Sequence, residues 1–212
     1  MTIKPIIAVD GPAAAGKGTL ARRLAAALGL PYLDTGLLYR AVGRLVLDAG
    51  GDPGDAAAAE SAARWLRPAD LDRCDLRGPQ ADAAATSVAS IPGVRAALLA
   101  FQRNFAKRDG AVLDGRDIGT VIFPDAAAKL FVTATLRERA RRRWLELHSK
   151  GTDADLATVE EDMRQRDAKD AARATAPLRP AADAYQLDTT TMDAEAAFRA
   201  ALAFIRMQID VG

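Results

Sequence analysis

Short apolar runs divide the chain, and between them apolar residues recur at helical spacing. The runs Ile6-Ile7-Ala8-Val9-Asp10, Leu30-Pro31-Tyr32-Leu33-Asp34, Ala111-Val112-Leu113-Asp114, Ala128 to Thr133 and Tyr185-Gln186-Leu187-Asp188 read as strands, the first of them buried and parallel. Helices are predicted over Leu20 to Leu28, Leu37 to Leu47, Asp55 to Leu66, Asp82 to Ser90, Val94 to Phe105, Leu156 to Ala172 and Glu195 to Met207, with one more after Thr135, which can cap it. Strand alternating with helix predicts one α/β domain over residues 1–212. From Gly50 to Pro92 the composition shifts to alanine, aspartate and glycine, so residues 50–92 are expected to be an insertion outside the main sheet.

Between the first strand and the first helix lies GPAAAGKGT, Gly11 to Thr19. A glycine loop opening a helix offers unpaired backbone N–H donors and the positive end of the helix dipole, which together suit a cluster of anionic oxygens. Lys17 adds a full charge, and no packing requirement places a lysine there. The hydroxyl expected directly after the lysine stands one residue later, at Thr19, with Gly18 between. Strand, glycine loop and helix in this order are the context that a phosphate-binding loop requires.

In open parallel sheets ligands lie beyond the carboxyl ends of the strands. The loop Asp34-Thr35-Gly36 after the second strand opens a helix, so Thr35, Tyr39 and Arg40 are expected to face the same cleft, with Thr35 also a candidate N-cap. The loop after the third is Asp114-Gly115-Arg116-Asp117-Ile118-Gly119, and an apolar run ending in Asp114 is similar to the strand that organises magnesium beside phosphate loops. After the fourth strand, Arg137, Arg139, Arg141, Arg142 and Arg143 crowd within two turns, near only Glu138 and Glu146. A solvated face accounts for some of them; a mobile lid on a triphosphate accounts for all five. Arg166, Asp170 and Arg173, at i, i+4 and i+7, are expected on one helix face, with a positive surplus suited to an anion.

The 29 Lys plus Arg against 28 acidic residues leave a net charge of +1, so no global field favours nucleic acid or a membrane. No apolar run approaches the ~20 residues of a membrane span, and Met1 to Pro5 does not read as a secretory signal, so a cytoplasmic protein is expected. Cys74 and His148 are each the sole residue of their type. They read as a partly buried small apolar residue and a solvated or capping residue.

Several separate arginines, with no glutamine placed to orient water, favour phosphoryl transfer to a bound acceptor over hydrolysis. An acceptor that is itself a phosphate needs no general base, because its second ionisation lies near about pH 6.

The segments GPAAAGKGTL, LDTGLLYR, DGRDIGTVIFPDA, RQRDAKDAAR and APLRPAADA, in this order over nearly the whole chain, resemble the bacterial cytidylate kinase family. That resemblance implies a P-loop three-layer α/β sandwich with a five-stranded parallel core sheet, about residues 1–49 and 93–212, a helical acceptor-binding insertion, about 50–92, and a short lid, about 137–173. It implies transfer of the γ-phosphate of ATP to CMP or dCMP with Mg2+; a monomer is expected. Gly11, Pro12, Ala13, Ala14, Ala15, Gly16, Lys17, Gly18 and Thr19 resemble the ATP loop. Arg139, Arg142 and Arg143 resemble lid residues, of which Arg142 is assigned to ATP. Thr35, Arg40, Thr86, Arg95, Arg116, Asp117, Arg166, Asp170 and Arg173 correspond to the CMP site, although by sequence alone Thr86 and Arg95 read as surface residues. Lys17, Arg116, Arg166 and Arg173 would carry the chemistry, and Mg2+ would sit near Thr19 and Asp114 without an assigned protein ligand.

Two departures from the family pattern stand out. Ala13-Ala14-Ala15 fill positions where relatives often have serine and glycine, so Ala14 must take a backbone compatible with a β-carbon. Ala69 to Gln80 has no alternation long enough for the small β-meander many members carry, so a trimmed acceptor region is expected. A P-loop kinase for another small acceptor and a non-catalytic ATP-binding regulator remain alternatives.

Overall fold

The computed structural model describes residues 4–209; the start of the segment Met1 to Pro5 lies outside them. Its strands are β1 (Ile6–Asp10), β2 (Tyr32–Asp34), β3 (Ala111–Gly115), β4 (Ala128–Thr133) and β5 (Tyr185–Asp188). Its helices are α1 (Lys17–Leu28), α2 (Thr35–Asp48), α3 (Ala56–Arg64), α4 (Pro79–Ala89), α5 (Pro92–Ala106), α6 (Leu136–Ser149), α7 (Leu156–Ala171) and α8 (Ala194–Ile209). The strands form one sheet in the order β2-β3-β1-β4-β5, with β1 parallel to β3 and β4, and β4 parallel to β5. This is the parallel α/β architecture expected from the apolar runs. The chain leaves β1 toward β2 and leaves β4 toward β5, so the connecting loops part beside the carboxyl end of β1, where such sheets bind ligands.

Two compact units make up the chain, residues 4–33 with 108–209, and residues 34–107. In the first, successive β1 side chains alternate between faces. Ile7 and Val9 meet Leu20 and Leu24 of α1 and Ala201 and Ile205 of α8 in the main core. Asp10, on the other face, reaches the segment after β3. That segment, Ile118–Ile122, is a single wide turn in which Ile122 and Phe123 donate to the carbonyls of Asp117 and Ile118, five residues back. Helices α6 and α7 share a smaller core of Ala140, Leu147, Val159 and Met163, against which Ala13 and Ala14 also pack.

The second unit is helical and has no strand among its described residues past Asp34, in line with the missing alternation. Leu38, Val42 and Val46 of α2 pack with Ala85 and Val88 of α4 and with Val94 and Leu98 of α5. A β-carbon on Gly43 would press on Ala84, so glycine is what lets α2 and α4 approach so closely. The unit takes in residues 50–92 together with the helices on either side. No single described helix is long and apolar enough to cross a bilayer, and α4 with α5 passes that test only as a pair bent by 100°.

Three local expectations are corrected. Thr35 is not the N-cap of α2: Asp34 holds that position, and Thr35 is the buried first residue of the helix. Cys74 is exposed, because residues 72–78 form an irregular surface segment. α7 ends at Ala171, so Arg173 lies beyond the helix and reaches Asp170 from the turn instead of from the helical face.

Candidate active site

The loop from Gly11 to Gly16 is shaped by three residues of positive φ: Gly11 at 146°, Ala14 at 57° and Gly16 at 88°. At Gly11 a β-carbon would collide with the carbonyl oxygen of Val132, so only glycine lets the loop leave β1 this close to β4. Ala14 does not escape the left-handed region; it adopts it, at a cost of about 1–2 kcal/mol. Its methyl group packs with that of Ala13 on the α6–α7 core, which offsets the strain. Gly16 then opens α1 without a side-chain cap and with no acid in the first turn, leaving the first helical N–H groups and the dipole for an anion.

Lys17 is buried, 7% exposed, with its ammonium donating to the Pro12 carbonyl at 3.2 Å and lying 3.6 Å from the Asp114 carboxylate. Gly18 explains the displaced hydroxyl. A β-carbon there would stand 3.1 Å from Asp114 Oδ2, so glycine lets the first turn of α1 approach the carboxylate at the end of β3. Tyr32 donates its hydroxyl to the same oxygen at 3.5 Å. Thr19, one position on, is exposed on the loop's open side.

A pocket of about 300 Å3 opens beside this loop, bounded by Ala15, Gly16 and Thr19, by Glu138 and Arg142 of α6, and by Thr189 and Met192 before α8. Arg142 is its most tightly organised cation. It donates to Glu138 at 2.9 Å, to the Thr189 hydroxyl at 3.0 Å and to the Thr189 carbonyl at 2.6 Å. A β-carbon on Gly16 would lie 4.0 Å from Arg142 Nη1, so the guanidinium stands beside the loop. The buried Thr189 hydroxyl lies 3.1 Å from the carbonyls of both Ala15 and Thr133, joining loop, β4 and arginine. Hydrogen bonds from Arg141, and from Arg142 against a desolvation cost, hold the Glu138 carboxyl down to about 2.

Arg139 does something else. It is buried, bidentate to Asp167 of α7 at 2.6 and 3.2 Å, and it donates to the carbonyls of Ala134 and Ala13. It therefore ties the two helices to each other and to the phosphate loop. Arg141 and Arg143 pair on the surface with Glu138 and Glu146. Partnering thus accounts for most of the crowd that suggested a triphosphate clamp. His148 is exposed, with its ring tilted at 43° against Trp144 on the same helix, 4.2 Å between centroids.

A second cluster gathers on Asp170, which is 2% exposed. Arg116 donates to it through Nε at 3.0 Å, Arg173 donates to its other oxygen, and Arg166 adds its charge. Burial alone would raise the Asp170 carboxyl, but the arginines outweigh it and hold it below the ordinary 3.8. Burial likewise opposes the charge of Arg116, and the carboxylates of Asp170, Asp114 and Asp10 raise its pKa despite that. Asp10 is pushed up to about 7 by burial, against the pull of N–H groups from Gly119 and Ile118 and with the push of Asp117 and Asp114. Asp117 is buried at the start of the wide turn and does not cap it with its own side chain.

In the second unit, Arg40 donates to Asp82 at 3.0 Å, and Asp82 accepts the Thr86 hydroxyl on its main-chain carbonyl at 2.9 Å. Arg40 Nη1 is buried without a hydrogen bond, 3.9 Å from the Asp34 carboxylate. Gly36 leaves room for this, since a β-carbon would stand 3.1 Å from that nitrogen. Arg95 is not a surface residue: it is 8% exposed, with its guanidinium 5.6 Å from the centre of the Tyr39 ring. Thr86 is half-buried.

A family model described as cytidylate kinase matches residues 7–207. A cytidylate kinase of Granulibacter bethesdensis is 63% identical over 201 residues, covering 95% of this chain and 96% of its own length. That of Paramagnetospirillum magneticum is 63% identical over 204 residues, covering 94% and 97%. The chain belongs to the cytidylate kinase family. Among solved structures, a gluconokinase from Sinorhizobium meliloti aligns over 100% of this chain and 97% of its own at a TM-score of 0.52 and 15% identity. An uncharacterized protein from Eubacterium ventriosum aligns over 96% and 99% at 0.57 and 16%. At these identities the likeness concerns the fold alone.

Several residues of this family member's site escaped the sequence reading. Asp10, Asp82, Glu138, Asp167, Thr189 and Met192 carry no motif letter that names a role, and the partners of Asp10, Asp82, Asp167 and Thr189 are distant in sequence. The available signal was position: Thr189 follows β5 and Asp10 closes β1, both at the carboxyl edge.

Proposed function

We propose that the protein phosphorylates CMP and dCMP, moving the γ-phosphoryl group of ATP to give CDP and dCDP. The observation that carries this is the pairing, within one compact unit, of an uncapped glycine loop holding Lys17 with a separate set of arginines on Asp170. One anion site suits a bound triphosphate. A second is what a phosphorylated acceptor requires.

On this reading Gly11 to Thr19 hold the β- and γ-phosphates of ATP through backbone N–H groups, and Lys17 neutralises charge as the phosphoryl group moves. The donor base occupies the pocket beside Arg142 and Thr189. Arg116, Arg166 and Arg173 hold the acceptor phosphate in line, with Asp117 and Asp170 toward its base and sugar. Family resemblance adds Thr35, Arg40, Thr86 and Arg95 from the second unit, and the buried nitrogen of Arg40 that makes no hydrogen bond suits such a role. The α6–α7 segment, about residues 137–173, serves as the lid, and residues 50–92 belong to the acceptor-binding part. The dianionic acceptor attacks without a protein base.

Mg2+ suits the hard oxygens of Thr19 and Asp114, and the described residues bring no three His, Cys, Asp or Glu side chains together as a protein cage. Such an ion would take most ligands from phosphate and water, and when bound it neutralises phosphate oxygens. We assign a cytoplasmic monomer.

A coupled assay of ADP release with MgATP tests the reading. CMP-dependent release well above that with AMP or UMP is expected. Release indifferent to CMP, or greater with AMP or UMP, would overturn it.

A further inference from the structure

We infer that Asp10 is a positioning residue for the acceptor loop: from the end of β1 its carboxylate caps the wide turn Ile118–Ile122 and so fixes the Arg116–Asp117 pair that precedes it. The inference rests on the proposed acceptor role of that pair.

The first N–H groups of any helical turn lack partners within the turn. In this turn they belong to Ile118 and Gly119, both buried where water cannot serve them. The residue at the usual capping position, Asp117, makes no side-chain cap. Asp10 takes its place from 108 residues away, with Oδ1 accepting from Ile118 and Oδ2 from Gly119, each at 2.8 Å. Both carboxylate oxygens are thereby used, one per donor, which an amide side chain cannot imitate: it has one acceptor oxygen and would point its NH2 at an N–H.

The joint is tight on every side. A β-carbon on Gly119 would lie 3.4 Å from Asp10 Oδ2 and 3.2 Å from Lys129 Cδ, and Lys129 is itself held by the Pro124 carbonyl and by Asp183. Because Asp10 immediately precedes Gly11, the same strand end sets the start of the phosphate loop and the position of the Arg116 loop. The carboxylate itself holds only the Arg116 loop, while the phosphate loop is set by the backbone that follows at Gly11. A buried carboxylate is costly unless hydrogen-bonded, and the two donors offset part of that cost, burial still holding the group up at about 7.

The test is Asp10→Asn, with Gly119→Ala as a second perturbation of the same joint. Folding is followed by circular dichroism and thermal melting, and KM is measured for each substrate with the other saturating. For Asp10→Asn the KM for CMP should rise about 10- to 100-fold, the range a misplaced positioning group produces, while the KM for ATP changes less than about threefold. Gly119→Ala should shift the same constant in the same sense by less. Hydrogen exchange should show faster exchange of the Ile118 or Gly119 amide, with Ile7 to Val9 of β1 unchanged. Equal rises in both KM values, or an unchanged KM for CMP, would overturn the inference, and if Asp10→Asn does not fold, Gly119→Ala alone decides by the same split. The exchange measurement needs no substrate. Unprotected Ile118 and Gly119 amides in the unmutated protein sink the capping role, whereas protected amides without CMP-dependent turnover sink the functional reading.

Discussion

Arginines cluster twice in the first unit, and the clusters differ in how many carboxylates they meet. On α6, Arg139 meets Asp167, Arg141 and Arg142 share Glu138, and Arg143 meets Glu146. Around Asp170, three guanidiniums gather on one carboxylate, giving those four side chains a formal charge of +2. Crowding along the sequence is therefore a poor guide to anion binding. Arg139, Arg141 and Arg143 are held as architecture, with Arg142 beside the phosphate loop, while the sparser set, drawn from two segments of the chain, concentrates three guanidiniums on a single buried carboxylate, a charge density that a phosphate dianion would neutralise.

The contrast can be broken first at its centre. Asp170→Asn removes the carboxylate on which three cations converge, and at neutral pH we expect a loss of about 3–5 kcal/mol, the cost of leaving buried charges without their partner. The pH dependence has a defined sign. The Asp170 carboxyl is held below its ordinary 3.8, so its stabilisation is complete above that pH and lost as pH falls through the lower folded-state value. Melting curves of the two proteins should be far apart at pH 7 and converge below about pH 4. A gap that stays constant down to pH 3 would show that the ion pairs are not its source.

Arg139→Gln probes the architectural set. Losing charged hydrogen bonds to Asp167 and to two carbonyls should cost about 1.5–3 kcal/mol in denaturant titrations. The KM for CMP should stay within about twofold of the unmutated value, because uniform acceptor binding is not touched. A larger change in KM than in stability would move Arg139 into the site. The smallest effect is expected from Arg141→Ala. Its pair with Glu138 is solvent-exposed and should contribute less than about 1 kcal/mol, so a melting shift beyond a few degrees would contradict the distinction.

Which parts could be read from the chain follows from the range of the interactions. The strands were legible because their apolar runs are short and bounded, four of the five ending in an aspartate, and the phosphate loop because its glycines and lysine are local requirements. Helix ends moved by a few residues. Thr35 lost the cap to Asp34 because either side chain could have held it, and only the backbone decides. The fate of Arg139 was illegible, since Asp167 lies 28 residues away on another helix. The Arg116–Asp170 bond spans 54 residues, so the motifs on either side were visible but their union was not. Arg95 looked like a surface residue because a helix of mixed character does not reveal which side Tyr39 will cover.

The central claim is that the Asp170 arginines serve the acceptor and Arg142 the donor. Calorimetric titration of Arg173→Gln and Arg142→Gln with CMP and with MgATP tests it most directly. The account predicts that Arg173→Gln weakens CMP by at least about tenfold with ATP little changed, and that Arg142→Gln does the reverse, a tenfold change being about 1.4 kcal/mol. Weakening of ATP by Arg173→Gln with CMP binding intact would contradict it.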